Sequence, residues 1–152
     1  MIRFLNLLPP SLKFRIIKYQ FYQNIDRIQA FNEKSDVIDN LLGKLSLQLY
    51  EPMYTIMHQF EKFNQIIIVG EGKVQACKYV NKLINYPLGQ IPQSVLIGDI
   101  PFFFGTPAIY SVQTFSYCNI GVISGSKFNK LIKECPSIKT DMMKEILNNP
   151  YD

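Results

Sequence analysis

Four consecutive β-branched residues, Ile66 to Val69, constrain this 152-residue chain more than any other stretch. Residues of this type favour extended backbone packed on a pleated surface. A Gly-Glu-Gly segment follows at 70–72, and a second extended run continues to Val80. Two extended runs separated by a glycine turn predict a β-hairpin over residues 65–80.

Further strands are predicted after this hairpin. Pro87, Gly89 and Pro92 are typical of a loop. The sequence SVLIGD at 94–99 then predicts a strand that stops at a glycine. Residues 109–124 alternate in polarity and predict one or two more strands, broken near Ser116 or Asn119.

The first sixty residues have a helical pattern instead. A first helix is predicted from Pro9-Pro10-Ser11, where proline suits the first turn and serine is available as a cap. Its apolar residues recur at helical spacing: Leu12, Ile16, Ile17 and Tyr19. A second helix is predicted from Ser35 to Leu49 and a third from Met53 to about Lys62.

Two more helices are predicted after the strands. Ser124 or Ser126 can cap a helix that covers KFNKLIKEC and stops at Pro136. A last helix follows in SIKTDMMKEIL, and its buried side is expected to hold Ile138, Met142, Ile146 and Leu147. The order of helices, antiparallel strands and helices predicts an α+β fold.

Composition excludes several classes of function. The net charge is only +4 and no block of basic residues occurs, so we expect no nucleic-acid partner. The single histidine, His58, is predicted to lie on a helix, and with no second histidine there is no His-pair metal site or Ser-His triad. We expect neither an enzyme nor a metal site, and the three separated cysteines suit reduced thiols.

Four short motifs occur in an order that resembles the cyclic nucleotide-binding domain. IIIVGEGKVQ resembles the family's strand turn with its conserved glycine, and Ile97-Gly98-Asp99 falls where the family has a Phe-Gly-Glu turn. Residues 108–112 fall where it has a stretch that begins with arginine, and FNKLIKECP resembles the helix that follows its barrel. The resemblance implies N-terminal helices, an antiparallel β-roll or jelly roll, and C-terminal helices.

The leading helices are similar to the C-linker of voltage-gated and cyclic-nucleotide-gated potassium channels, through LPPSLKFRIIKYQFYQNI. The resemblance implies a C-linker-like segment at 1–62 and a partial β-roll with its C-terminal helices at 63–152. Only EKFNQ separates the third predicted helix from the IIIVG strand, so the early barrel strands are expected to be missing.

The same resemblance implies a phosphate-binding cassette, which we expect to be degenerate. Its candidate residues are Gly98, Asp99, Ile100, Ala108 and Ser111. In the family, helix amides and an arginine hold the cyclic phosphate and a carboxylate holds the ribose. Here alanine stands at or near the arginine position, no Lys or Arg occurs between Lys82 and Lys127, and Phe102 to Phe104 are expected to crowd the cassette.

Asp99 has an alternative interpretation as a turn acid that caps the next helix. The resemblance implies cAMP or cGMP as ligand, but we expect weak binding or none, and therefore no resident cofactor. The favoured function is a cytoplasmic gating module of a potassium-channel-like protein, at the cytoplasmic face of a membrane.

This module would self-associate through an exposed apolar stripe on its N-terminal helices, between Pro9 and about Leu49, and would act on a membrane channel domain in the same or a partner chain. Two alternatives stay open: a regulatory module that binds cAMP or cGMP, and a free-standing interaction protein with the same fold.

Overall fold

The chain is described by a computed structural model over residues 6–81 and 85–148, with Asn85 described by its backbone alone. Three helical elements come first: α1 (Pro10–Asp26), a 3-10 turn (Gln29–Phe31) and α2 (Ser35–Gly43). The strands are β1 (Ser46–Tyr50), β2 (Thr55–Met57), β3 (Gln65–Glu71), β4 (Val74–Tyr79), β5 (Asn85–Ile91), β6 (Ser111–Thr114) and β7 (Cys118–Ser124). The remaining helices are α3 (Asp99–Phe104), α4 (Gly125–Glu134) and α5 (Pro136–Asn148).

The strands form two antiparallel sheets that pack face to face. One sheet has the order β1-β7-β3 and the other β2-β6-β4-β5. A shared apolar cluster joins them, which we call the intersheet cluster. Its buried members are Met57, Ile67, Val69, Val74, Ile97, Ala108, Val112, Cys118, Ile120 and Val122.

The helices cover the outer face of the three-stranded sheet. Phe21 of α1, Phe31 of the 3-10 turn and Phe128 of α4 are completely buried there, in one cluster with Ile66 and Ile68 of β3. Because Ile67 and Val69 belong to the intersheet cluster, β3 is buried on both faces. That double burial explains the uninterrupted β-branched run. The α+β fold class is therefore confirmed.

The predicted hairpin is wrong in its pairing, although both of its strands exist. β3 pairs with β7, whereas β4 pairs with β5 and β6 in the other sheet. Gly72 between them has a φ of +98°, and a Cβ there would lie 2.5 Å from the Tyr117 carbonyl oxygen. The turn therefore passes the chain from one sheet to the other instead of folding it back on itself.

The helical predictions for residues 44–62 are also wrong. α2 ends at Gly43, and β1 and β2 occupy the region assigned to helix. Leu47 packs with the helix-covered core and Tyr50 with the intersheet cluster, so this segment serves two faces, as a strand does. Met53 and Phe60 have positive φ values of 67° and 69°, which a helix does not accommodate.

The expected absence of early barrel strands is thereby overturned. β1 pairs with β7, and β2 pairs with β6, so the sheets draw on residues from both sides of the boundary predicted at residue 62. His58 follows β2 and is exposed, and does not lie on a helix.

The strand predicted at residues 94–99 and the loop predicted around Pro87 and Gly89 are both wrong. Residues 94–99 form no strand, and only an isolated bridge joins Ile97 to Ile67. The segment punctuated by Pro87 and Gly89 forms β5, which is an edge strand, the position in a sheet where proline is tolerated.

The terminal helices agree better with their predictions. Ser124 is the N-cap of α4, where its Oγ accepts the Lys127 N–H at 3.4 Å, and α5 begins at Pro136. Ile138 and Met142 are buried as expected, whereas Ile146 is half-buried and Leu147 is 73% exposed. The strand break near Ser116 is confirmed as well.

The first helix begins at Pro10 as predicted, but no side chain caps it, and Tyr19 is 90% exposed. Within residues 6–81 and 85–148, none of the helices is long and apolar enough to cross a bilayer.

Candidate functional site

The predicted cassette is a short helix, α3, that starts beside the beginning of β3. Gly98 precedes it with a φ of +93°, and a Cβ at this position would lie 2.4 Å from the Gln65 carbonyl oxygen. Ile97 and Ile67 exchange two backbone hydrogen bonds of 2.9 Å just before the turn. Glycine is therefore required here both by the backbone conformation and by the close approach to β3.

Asp99 is half-buried and turns back on its own helix. Its Oδ1 accepts the Ile100 N–H at 2.8 Å, and Ile100 itself is half-buried. Asp99 also lines a cavity of about 160 Å³ that Met142, Glu145 and other residues of α5 close from the opposite side. Cavities that hold small ligands usually measure 300–1,000 Å³, so this one is too small for a nucleotide.

Ala108 is only 1% exposed and belongs to the intersheet cluster. Its backbone is paired with the segment after β2: its carbonyl accepts the Phe60 N–H at 2.8 Å, and its N–H donates to the Glu61 carbonyl at 3.0 Å. The space around this position is already filled by the intersheet cluster, so a long cationic side chain does not fit there.

Ser111 is completely buried at the start of β6. Its Oγ accepts the Gln59 N–H at 2.9 Å, and its carbonyl oxygen accepts the thiol of Cys77 at 3.7 Å. The hydroxyl is therefore engaged inside the protein and is not presented to a phosphate.

The five predicted residues fall into two groups. Gly98, Asp99 and Ile100 lie on the turn into α3, whereas Ala108 and Ser111 both bond to residues 59–61. The cavity that Asp99 lines contains neither Ala108 nor Ser111. Residues 59–61 gave no signal in the sequence, because they contribute backbone groups whose contacts depend on the tertiary fold.

The expected crowding by the three phenylalanines takes a different form. Phe102 and Phe103 pack edge-to-face on Phe128 of α4, with ring centroids 5.1 and 6.3 Å away. They belong to the helix-covered core, and Phe104 is 44% exposed. These rings therefore attach α3 to α4, and the interior beside Ala108 is filled by the intersheet cluster.

Charged groups near the cassette come from α5. Burial raises the pKa of Glu145 above its ordinary value, the Ala30 backbone N–H that it accepts opposes this, and the nearby Asp141 carboxylate adds to it. Lys34 pairs with Asp141 at 2.9 Å and connects α5 to the turn before α2. Sequence analysis missed Glu145, because its proximity to Asp99 depends on how α5 packs.

The chemistry available to these groups is limited. In the part of the chain that the structure describes, no group of three or more His, Cys, Asp or Glu side chains could hold a metal ion. Cys77 and Cys118 are buried, Cys135 is half-buried, and all three are free thiols.

One family model matches this chain. A family model described as "Cyclic nucleotide-binding domain" matches residues 47–135, more than half of the chain. A search of curated proteins found no significant match.

Among solved structures, the chain is similar to the regulatory domain of Toxoplasma gondii PKA, in a co-crystal structure with cAMP. The TM-score is 0.73 at 13% sequence identity, and the match covers 89% of this chain and 51% of that one. The chain thus spans about half the length of its solved neighbour. The structural match covers more of the chain than residues 47 to 152 contain. It therefore includes part of the helical region before residue 47, where the family model begins.

Proposed function

Since the chain belongs to the cyclic nucleotide-binding domain family, we propose that it is a non-catalytic regulatory domain whose nucleotide site no longer binds cAMP or cGMP appreciably. One observation carries this proposal: Ala108, which stands at or near the family's arginine, is buried and backbone-paired inside the intersheet cluster. A charge-assisted hydrogen bond contributes about 1.5–3 kcal/mol, so its loss lowers affinity at least about tenfold.

The other cassette residues support the same conclusion. Ser111 Oγ accepts the Gln59 N–H, and Asp99 accepts the Ile100 N–H and lines a cavity of about 160 Å³. The bond to Ile100 also supports the interpretation of Asp99 as a turn acid. Gly98 keeps the turn in place for the fold, whether or not a ligand binds.

The regulatory role is supported by direct contacts between the two helical ends of the chain. Lys34 pairs with Asp141 of α5, and Asn40 of α2 donates to Glu134 of α4 at 2.6 Å. Because α5 contacts Lys34 and the 3-10 turn, a shift of α5 against the sheets would act on the start of α2 and, through the 3-10 turn, on α1. Such a shift is the step by which the domain would transmit a signal to its effector.

For the effector we retain the potassium-channel-like protein, in this chain or in a partner, at the cytoplasmic face of a membrane. LPPSLKFRIIKYQFYQNI supports it. The helices themselves do not separate a channel from a kinase, because the match to the kinase regulatory domain extends into them. Six transmembrane helices upstream in the reading frame would support the channel; their absence would favour an interaction protein.

Self-association through the N-terminal helices also remains a proposal. Ile38, Leu41 and Leu42 of the α2 stripe are buried within the chain, so a second copy would have to contact Leu12 and Tyr19, which are exposed on α1. Sedimentation of the chain against its Tyr19→Lys variant tests this, and a monomer in both cases at high concentration would contradict it.

Calorimetric titration with cAMP and cGMP tests the nucleotide proposal. We expect no saturable binding in the micromolar range and no change in Asp99→Ala. We also expect no gain in Ala108→Arg, because the interior there is filled. Micromolar binding that Asp99→Ala abolishes would overturn the proposal in favour of a cAMP- or cGMP-binding module.

A further inference from the structure

A second cavity lies at the opposite end of β3 from the cassette. Three turns meet there: the Met53 N–H donates to the Thr114 carbonyl, and the Phe115 N–H donates to the Lys73 carbonyl, both at 2.8 Å. The turns leave large side chains in solvent, among them Tyr54 at 51% and Tyr117 at 75% exposure. An exposed aromatic group of this kind on a single domain is typical of a binding surface.

The cavity measures about 430 Å³, within the usual range of small-ligand sites. Its lining includes Tyr50, Glu51, Glu71, Tyr117 and Asn119, and we call it the turn cavity. It is formed from β1, β3, β7 and the turn before β7, so rigid strands position most of its residues. None of the five residues predicted for the cassette lines it.

One lining residue has an unused acceptor in the interior. Asn119 is only 3% exposed and lies directly opposite Leu49 of β1 and Glu71 of β3 in the ladder. Its Nδ2 donates to Gln20 Oε1 at 2.7 Å, but its Oδ1 is buried without a hydrogen-bond partner. A buried acceptor left unpaired is unfavourable, but almost none of the surface of this atom is accessible, so a donor reaches it only if a neighbouring side chain moves.

The two carboxylates of the turn cavity are also unused. Glu51 and Glu71 are exposed, and neither carboxylate has an ion pair or hydrogen bond within residues 6–81 and 85–148. Lys73 lies in an adjoining turn but does not line the cavity. The site thus offers two unpaired carboxylates and an excess of negative charge in a chain whose net charge is +4.

Aromatic faces complete the lining. Tyr50 stacks on Tyr54 with ring centroids 4.7 Å apart, and Tyr117 stands largely in solvent. Burial, with a smaller contribution from Tyr54, raises the pKa of Tyr50, so this phenol stays neutral at physiological pH. Neutral aromatic rings attract a cation to their faces.

We propose that the turn cavity binds a guanidinium group between Tyr117 and the carboxylates of Glu51 and Glu71. A guanidinium is planar, stacks on aromatic rings and carries five N–H donors, whereas an ammonium is compact and strongly hydrated. Separate acceptors beside aromatic faces match the first group better. The proposal is independent of the state of the nucleotide site.

Titration of the whole chain with Nα-acetylarginine amide tests this proposal, with Nα-acetylcitrulline amide as the neutral isostere. A ligand of this size reaches a Kd of about 1 mM, and we expect the citrulline compound to bind at least about tenfold more weakly. Backbone amide resonances of Glu71, Tyr117 and Asn119 should shift on binding. Equal binding of the two compounds, shifts elsewhere, or no binding at millimolar concentration would overturn the proposal.

Variants with matched controls locate the site. Glu71→Gln should lower the affinity at least about fivefold, whereas Glu61→Gln, an exposed glutamate outside the cavity, should leave it unchanged. Tyr117→Ala should also lower it, and Tyr86→Ala, at an exposed tyrosine outside the cavity, should not. If each control lowers the affinity as much as its partner variant, the binding is nonspecific charge or ring contact and the proposal fails.

A further titration distinguishes an arginine of a polypeptide from a small free guanidinium compound as the ligand. A capped Gly-Arg-Gly peptide that binds at least about fivefold more tightly than Nα-acetylarginine amide would identify an arginine of a polypeptide as the ligand. Equal affinity would identify a small free guanidinium compound. Either result supports the site, and failure of both ligands to compete with each other would overturn it.

Discussion

Polar side chains lie at both ends of β3, but acceptors at one end are hydrogen-bonded within the protein and acceptors at the other end are not. At the cassette end, Ser111 and Asp99 accept backbone N–H groups from the protein itself, at 2.9 and 2.8 Å. At the turn cavity, the carboxylates of Glu51 and Glu71 have no partner within the described ranges, and Asn119 Oδ1 is buried and unpaired. The cavity that Asp99 lines measures about 160 Å³, and the turn cavity measures about 430 Å³.

This difference separates residues that build a fold from residues free to bind a ligand. A polar side chain whose hydrogen bonds are satisfied internally adds to stability, and a ligand must break those bonds before it gains anything. An unpaired acceptor beside a cavity has no such cost. In the proposed cassette, the side chains of Ser111 and Asp99 form hydrogen bonds within the protein.

The largest expected effect comes from placing an arginine at the cassette end. Ala108→Arg should lower the free energy of unfolding by about 3 kcal/mol, because it overpacks the intersheet cluster and buries an unpaired charge. Ile109→Arg is the control, since Ile109 is 44% exposed, and should cost less than about 1 kcal/mol. Urea denaturation measures both, and equal small losses would mean that the cassette end keeps room for the family's arginine.

Gly98→Ala should follow in size. The positive φ and the approach to the Gln65 carbonyl oxygen predict a loss of about 2–3 kcal/mol. Gly105 has a φ of +64° with nothing within 4 Å of its built Cβ, so Gly105→Ala should cost only about 1 kcal/mol. Thermal unfolding of the two variants separates the steric cost of the added Cβ from the cost of the positive φ. If Gly98→Ala loses no more stability than Gly105→Ala, the close packing of the turn on β3 is contradicted.

Two serines compare the ends directly. Ser111 Oγ and Ser116 Oγ each accept a backbone N–H at 2.9 Å, from Gln59 and Lys73. Ser111→Ala should cost about 1–3 kcal/mol because it removes the partner of a donor in the interior, whereas Ser116→Ala at the other end should cost less than about 0.5 kcal/mol because water replaces the hydroxyl. Hydrogen exchange at the Gln59 and Lys73 amides, with urea denaturation, measures the difference; similar losses would remove the contrast.

The smallest effect concerns Glu145, the exception at the cassette end, whose Oε1 is buried and unpaired. Its pKa is raised in the folded state, mainly by burial, so the folded protein holds this proton more tightly than the unfolded chain does. The free energy of unfolding should therefore fall as the pH rises from the unfolded pKa, near 4.3, through the raised folded value.

Glu145→Gln should remove this decline and raise the stability at pH 7 slightly, within about 0.5 kcal/mol, because the side chain is only half-buried. Denaturation midpoints between pH 4 and 8 compare this variant with the unaltered chain, and a lower stability of the glutamine variant at pH 7 would show that the bond to Ala30 dominates.

Local signals determined several parts of this protein from the sequence alone. The start of α1 near Pro10, a serine cap for α4 at position 124 or 126 and a helix boundary at Pro136 all follow from groups within a few residues of one another. The β-branched run determined β3, and the glycines at 72 and 98 marked turns whose positive φ values only glycine adopts without strain. The order of these signals was enough to indicate the family.

The tertiary structure alone decided the strands before β3, the pairing and the two sites. The apolar residues of 45–57 fit a helix or a strand equally well, and only contact with β7 and β6 makes them β1 and β2. The Ser111–Gln59 bond and the placement of Asn119 between Leu49 and Glu71 join residues about fifty or more positions apart. Because such contacts form only when distant segments meet, no local stretch of sequence shows which polar groups are hydrogen-bonded within the fold and which stay unpaired.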